Sequence, residues 1–193
     1  MTTTEKKASS GAYFVRIIGT LFAIATVVGI LLALVNLATK DTIAQHAAEK
    51  KASAMAEVMP GVVSYDELPV PEAYAKDVKE ILLAKNAAGE LLGCCVQTGT
   101  NGNDGEIGLM VGISLDGSVT KVSILSQKET MYTNKHGELI ARFDGKSGSV
   151  ALTQDGGDID AISGATITSR AVTKGVNSAL AAVQAAAEEG GVQ

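Results

Sequence analysis

Tryptophan is absent from the 193 residues, and tyrosine and phenylalanine together make up only 4% of them. With so few rings for bases to stack on, and 21 acidic against 16 basic side chains, nucleic acid is a poor candidate partner. Cysteine occurs twice, at the adjacent positions Cys94 and Cys95, so no disulfide framework is available. Successive side chains of a strand point to opposite faces, which predicts one thiol in a core and its neighbour merely covered. The two histidines, His46 and His136, have no Gly-x-Ser-x-Gly or comparable context, which excludes a nucleophile triad.

Charge is missing altogether from residues 17–39, an uncharged run of 23 residues between Arg16 and Lys40. As a helix rising about 1.5 Å per residue it would be roughly 35 Å long, enough to cross a hydrocarbon core of about 30 Å. The run exceeds the apolar region of a signal peptide and has no good cleavage site after it, so an uncleaved anchor is expected. Basic residues flank both ends, and a short cytoplasmic tail is the default orientation. Residues 41–193 carry 12 basic and 20 acidic side chains, a local charge of −8 that does not seek anionic lipid.

Beyond the span, Ile43, Ala47, Ala54, Met55 and Val58 suit a helix prolonged to Met59 and stopped by Pro60-Gly61. Pro69 and Pro71 suggest an extended connector over 62–76. The period then becomes that of strands, over 78–84, 91–98, 107–115 and 119–126. Turn signals separate them at 86–89, 100–105 and Asp116-Gly117, the last pair supplying two positive-φ positions for a tight hairpin. An irregular polar region, 127–160, carries a short helix near 136–143. In the closing segment Ile167, Ala171, Val172, Val176, Ala179, Leu180 and Val183 recur at helical spacing and predict one buried helix face. The expected class is α+β, an antiparallel sheet packed on helices. The expected parts are a tail (1–16), a transmembrane helix (17–39), a helical stalk and connector (40–76) and one domain (77–193).

The segment Asp160-Ala161-Ile162-Ser163-Gly164-Ala165-Thr166 sits just ahead of the last helix. Small residues let the backbone turn closely, and Ser163, Thr166 and Thr168 place hydroxyls at a helix start, where unpaired N–H groups favour a phosphate. Physics alone is equally served by a plain N-cap and tight turn.

The string D-x-x-S-G-A-T followed by Ile-Thr-Ser resembles the flavinylation motif of the FMN-binding domain in the G subunit of Rnf-type ion-translocating ferredoxin:NAD oxidoreductases. The C subunit of the sodium-translocating NADH:quinone reductase carries a similar one. The resemblance extends to the N-terminal span, to AMAEVMPG at 54–61 and to LMVGISLDGSVTKVSILSQKET at 109–130. It implies FMN held covalently through a phosphoester to Thr166, with Ser163, Gly164, Ala165, Asp160, Glu129, Thr130 and Thr168 around the cofactor. It further implies a flavin transferase during maturation, acting with Mg and recognising Asp160, and an approach kept open by Gly164 and Ala165. The implied role is electron relay between neighbouring subunits of a complex that moves Na or H ions between ferredoxin and NAD. The soluble domain would face the extracytoplasmic side. After Glu129-Thr130 the chain has Met131-Tyr132-Thr133-Asn134 in place of the family's Pro-Gly-rich loop, thought to lie against the isoalloxazine ring; Tyr132 is then a candidate to stack on it. Two other classes compete: a pilin-like subunit, which would want a glutamate in the apolar helix, and a membrane-anchored binding module without flavin.

Overall fold

The computed structural model describes residues 10–129 and 135–190. The chain divides into two compact units, Met1–Ala47 and Ala48–Gln193. Helix α1, Ser10–Val58, begins in the first and ends in the second.

In the first unit α1 exposes its apolar side chains all round, Leu21, Phe22, Leu32 and Leu37 among them. It carries an 18-residue window of mean hydropathy 2.6. The hydroxyls of Thr20, Thr26 and Thr39 each donate to the carbonyl four residues back, of Arg16, Phe22 and Val35, at 2.8 Å. The three threonine hydroxyls are thereby satisfied within the helix, as an apolar medium favours. A helix of this length and composition is long and apolar enough to cross a membrane.

The second unit is built on five antiparallel strands in simple order: β1 (Ser64–Leu68), β2 (Val78–Lys85), β3 (Leu91–Asn101), β4 (Glu106–Ser114) and β5 (Val119–Ser126). Each pairs with the next, and β3 and β4 run in register from Gly93↔Ser114 to Asn101↔Glu106. Helix α2, His136–Ala141, and helix α3, Thr166–Gly190, follow. Every strand but the first is rich in Val, Ile and Leu, and the sheet buries both faces. On one face Ile81, Val96, Leu109, Val111 and Val122 pack with Val172, Val176 and Ala179 of α3 and with Leu139 and Phe143. On the other, Leu82, Ala84, Cys95 and Met110 are covered by Ala54, Met55, Val58 and Met59 at the end of α1. Thr120 Oγ1 donates to the Val58 carbonyl at 2.6 Å, satisfying one of the acceptors that a helix end leaves open.

Four expectations are corrected here. Residues 62–76 are more than a connector, because β1 pairs with β2 from Ser64↔Lys85 to Leu68↔Ile81. Lys85 Nζ meets Asp66 Oδ2 at 2.5 Å across that pair. The Asp-Gly hairpin uses one positive φ, at Gly117 (78°), since no described non-glycine residue has one. Gly117 N–H donates to Ser114 O and Ser114 N–H to Ser118 O, so three residues close the loop. Ile167 lies off the buried face of α3, 56% exposed. Finally, both cysteines are buried in cores, Cys94 on the α3 face and Cys95 on the α1 face, because the sheet is covered on both sides.

Burial pushes the thiol of Cys94 up to about 11 and that of Cys95 up to about 12. The thiolate is the reactive species, so neither should alkylate in the folded protein at about pH 7.5, and both should in denaturant. Counting adducts by intact mass checks this; one modified cysteine under native conditions contradicts it.

Candidate functional site

The start of α3 is held from several sides. Ala165 N–H donates to Ile162 O at 2.9 Å, closing a turn whose third residue, Gly164, has φ 80°, a value that favours glycine. Ile162 N–H in turn donates to the Ser169 hydroxyl at 3.1 Å, so a residue one turn inside the helix grips the loop that leads into it. Ser169 N–H closes the first helical bond, to Ala165 O at 2.8 Å. The loop's outer edge is fixed at Asp160, whose carboxylate accepts from Thr153 Oγ1 at 2.8 Å and whose carbonyl accepts from the Arg142 guanidinium.

Thr166 is the first helical residue and is half-buried. Among the described residues no side-chain hydrogen bond engages its hydroxyl, and the N–H groups of Thr166, Ile167 and Thr168 have no backbone acceptor. Those N–H groups and the helix dipole favour negative charge at this point. Ser163 and Gly164 are exposed beside it, whereas Ala165 is 3% exposed and its methyl packs into the core. A hydroxyl with no partner among the described residues, beside backbone N–H groups that have no backbone acceptor among them, fits a phosphate group.

Thr168 and Glu129 turn inward. Thr168 is 1% exposed and donates its hydroxyl to Glu129 Oε2 at 2.7 Å, while Glu129 Oε1 accepts from the Asp104 N–H at 2.9 Å. Of the eight residues expected at the site, Asp160, Ser163, Gly164 and Thr166 thus share its accessible edge, and Ala165, Thr168 and Glu129 support it from beneath. Thr130 lies outside the described residues, as do 131–134 and with them Tyr132.

Sequence reasoning missed Arg142, Thr153 and Ser169. The Ser169 contact was the most accessible, since the motif is followed directly by Ile-Thr-Ser; the other two arrive from segments with no periodic signal. Ion pairs frame the same edge: Arg170 Nε and Nη2 meet the Asp155 carboxylate at 3.0 and 2.8 Å, and Lys146 pairs with Asp158. These contacts hold both carboxyls below the usual range. An open groove of about 430 Å³, lined in part by Tyr74, Leu152, Arg170 and Asn177, starts one helical turn from Thr166. A larger cavity of about 700 Å³ lies toward the other end of α3, around Leu180 and Val183. Leu180 is about 21 Å along the helix from Thr166, so that cavity is a separate feature.

Residues 102–181 match the family model of the FMN-binding domain, and residues 19–58 match that of the RnfG N-terminal region. The chain is 33% identical over 184 residues to the G subunit of the Na(+)-translocating ferredoxin:NAD(+) oxidoreductase complex of Acetobacterium woodii, covering 85% of this chain and 88% of that protein. It is 32% identical to the G subunit of the ion-translocating oxidoreductase complex of Methanosarcina acetivorans, with 88% and 94% covered. To the protein of the same name in Stutzerimonas stutzeri it is 30% identical, with 81% and 75% covered.

Proposed function

The chain belongs to the family of G subunits of ion-translocating oxidoreductase complexes, and from that premise we propose that it is an electron carrier with FMN joined through a phosphoester to Thr166. The observation that carries this reading is the half-buried Thr166 hydroxyl, uncommitted to any described side chain, at the N-terminus of a 25-residue helix. Thr166 Oγ attacks the pyrophosphate of FAD. A new Oγ–P bond forms, the P–O bond to AMP breaks, and the hydroxyl proton passes to a base of the modifying flavin transferase. The N–H groups of α3's first turn would favour the remaining phosphodiester charge. Asp160, held by Thr153 and Arg142, presents the motif to the transferase. Of the two small residues expected to keep the approach open, Gly164 is exposed and Ala165 is buried in the core. When bound, the flavin supplies reversible electron transfer, and the polypeptide positions it between neighbouring subunits of the complex. Family membership sets aside the pilin-like and flavin-free readings.

The anchor carries no charge between Arg16 and Lys40, so ion movement is assigned to other subunits. The residues beyond Lys40 are placed on the extracytoplasmic side, as the family resemblance implies; basic residues flank both ends of the anchor, so their count does not set its direction. Because the two native thiols are buried, an Ala87→Cys variant in the exposed turn after β2 gives a silent background for labelling. A membrane-impermeant maleimide is expected to label that residue in cells whose outer barrier has been opened. Labelling only after the cytoplasmic membrane is broken would reverse the orientation.

A further inference from the structure

The buried contact between Glu129 and Thr168 ties together three segments distant in sequence, and nothing in the attachment chemistry accounts for it. Glu129 is 5% exposed. Its carboxylate accepts from Thr168 on α3, 39 residues away, and from the Asp104 amide in the β3–β4 loop, 25 residues away. The fit on the loop side is close: a Cβ built on Gly102 would overlap Glu129 Oε1 and press on Ile107 Cδ1. Loop, carboxylate and helix start are therefore packed without slack.

A buried carboxylate is costly, and replacing such a group by an apolar one of similar volume is often neutral or stabilising. Stability is thus a weak reason for one here. Geometry is a stronger one, because a charged acceptor makes short, directional bonds and these two fix the first turn of α3 against the sheet. Thr166 belongs to that same turn, two residues before Thr168. A reacting hydroxyl displaced by about 1 Å loses on the order of 100-fold in rate, so whatever sets the pose of this turn sets the acceptor's reactivity.

We propose that Glu129 is a positioning residue for flavin attachment: clamped between Thr168 and the Asp104 amide, it orders the first turn of α3 and so presents Thr166 to the transferase. This rests on the reading of Thr166 as the attachment residue. It assigns Glu129 a contact with the protein beneath the site, and no contact with the flavin.

The test uses the full chain purified in detergent as wild type, Glu129→Ala, Glu129→Gln and Thr168→Val. Each is incubated with flavin transferase, FAD and Mg, and the rate of covalent flavin formation is read by in-gel fluorescence. Amide hydrogen exchange across 162–170 is measured on the same unmodified samples. Glu129→Ala should lose protection in the first turn and slow modification by about tenfold or more. Glu129→Gln keeps an acceptor for the Asp104 amide and a donor for a turned Thr168 hydroxyl, and should recover the rate to within about threefold. Thr168→Val removes one of the two bonds, keeps the packing volume, and should fall between. Wild-type rate and protection in both Glu129→Ala and Thr168→Val would overturn the proposal. So would a Gln variant as slow as Ala with its protection intact, since charge rather than pose would then be decisive. Should Glu129→Ala fail to fold, Thr168→Val and Glu129→Gln carry the comparison. Peptide mapping of the wild type separates the two levels: flavin on a residue other than Thr166 refutes the attachment reading and this proposal together. Flavin on Thr166 with unaffected variants refutes this proposal alone.

Discussion

Thr166→Ala is expected to abolish covalent flavin completely and to leave the protein folded. The loss should be total because an alanine methyl cannot form a phosphoester and, among the described residues, no neighbouring hydroxyl is placed to substitute. That of Thr168 is buried and bonded to Glu129, that of Ser169 is buried and accepts from the Ile162 amide, and that of Ser163 sits across the Gly164 turn. The fold should survive because the Thr166 side chain is half-exposed and makes no side-chain hydrogen bond among the described residues. Such a surface change is worth about 0.5 kcal/mol or less. In-gel fluorescence after denaturation, with intact mass on the same sample, reads the adduct, and thermal unfolding reads the fold. A fluorescent mutant band, or an adduct mapped to Ser163, would mean that the motif has been aligned one hydroxyl out of place. Ser163→Ala serves as the matched control and should retain flavin.

How much of this was legible before the structure follows from what each element depends on. Strands β2 to β5 announce themselves because their β-branched and apolar runs are what a sheet buried on both faces needs. The anchor and α3 show in composition and period. Strand β1 does not, since Ser-Tyr-Asp-Glu-Leu has no β-branched residue and two carboxylates; its pairing comes from the edge that β2 offers, a tertiary cause. Ile167 kept the helical period yet is exposed, because the first turn of α3 is occupied on its inner side by Thr168 and Ser169, which are bonded rather than greasy. The site divides in the same way. The D-x-x-S-G-A-T string marked the loop and the acceptor, whereas Arg142, Thr153 and the Glu129–Thr168 contact are pairings across long stretches of chain that no local pattern encodes. Both cysteine assignments turn on one structural fact that the sequence does not state locally: the end of α1 returns to cover the second face of the sheet.

That fact gives the second large effect. A fragment of residues 48–193 is expected to fold cooperatively, and a fragment of residues 77–193, which begins just before β2, is expected not to. The shorter piece lacks Ala54, Met55, Val58 and Met59, whose side chains are at most 8% exposed against Leu82, Ala84, Cys95 and Met110. Burying Met55, Val58 and Met59 contributes about 1.5–3 kcal/mol each, a sum comparable to the whole stability of a small domain, about 5–15 kcal/mol. The same deletion strips β1 from β2 and leaves an unpaired edge next to an uncovered apolar face, a combination that favours aggregation. The polar ties lost with it add little by comparison. Lys121–Glu57 at 2.9 Å and the partner bond from Ser123 lie at the surface, where ion pairs are worth about 0–1 kcal/mol. Far-ultraviolet circular dichroism and thermal unfolding of the two fragments decide the matter, with Val58→Asp in the longer one as a point test of the same face. A cooperative transition in 77–193 would show that the α3 face alone sustains the sheet, and the end of α1 would then be a tether rather than part of the core.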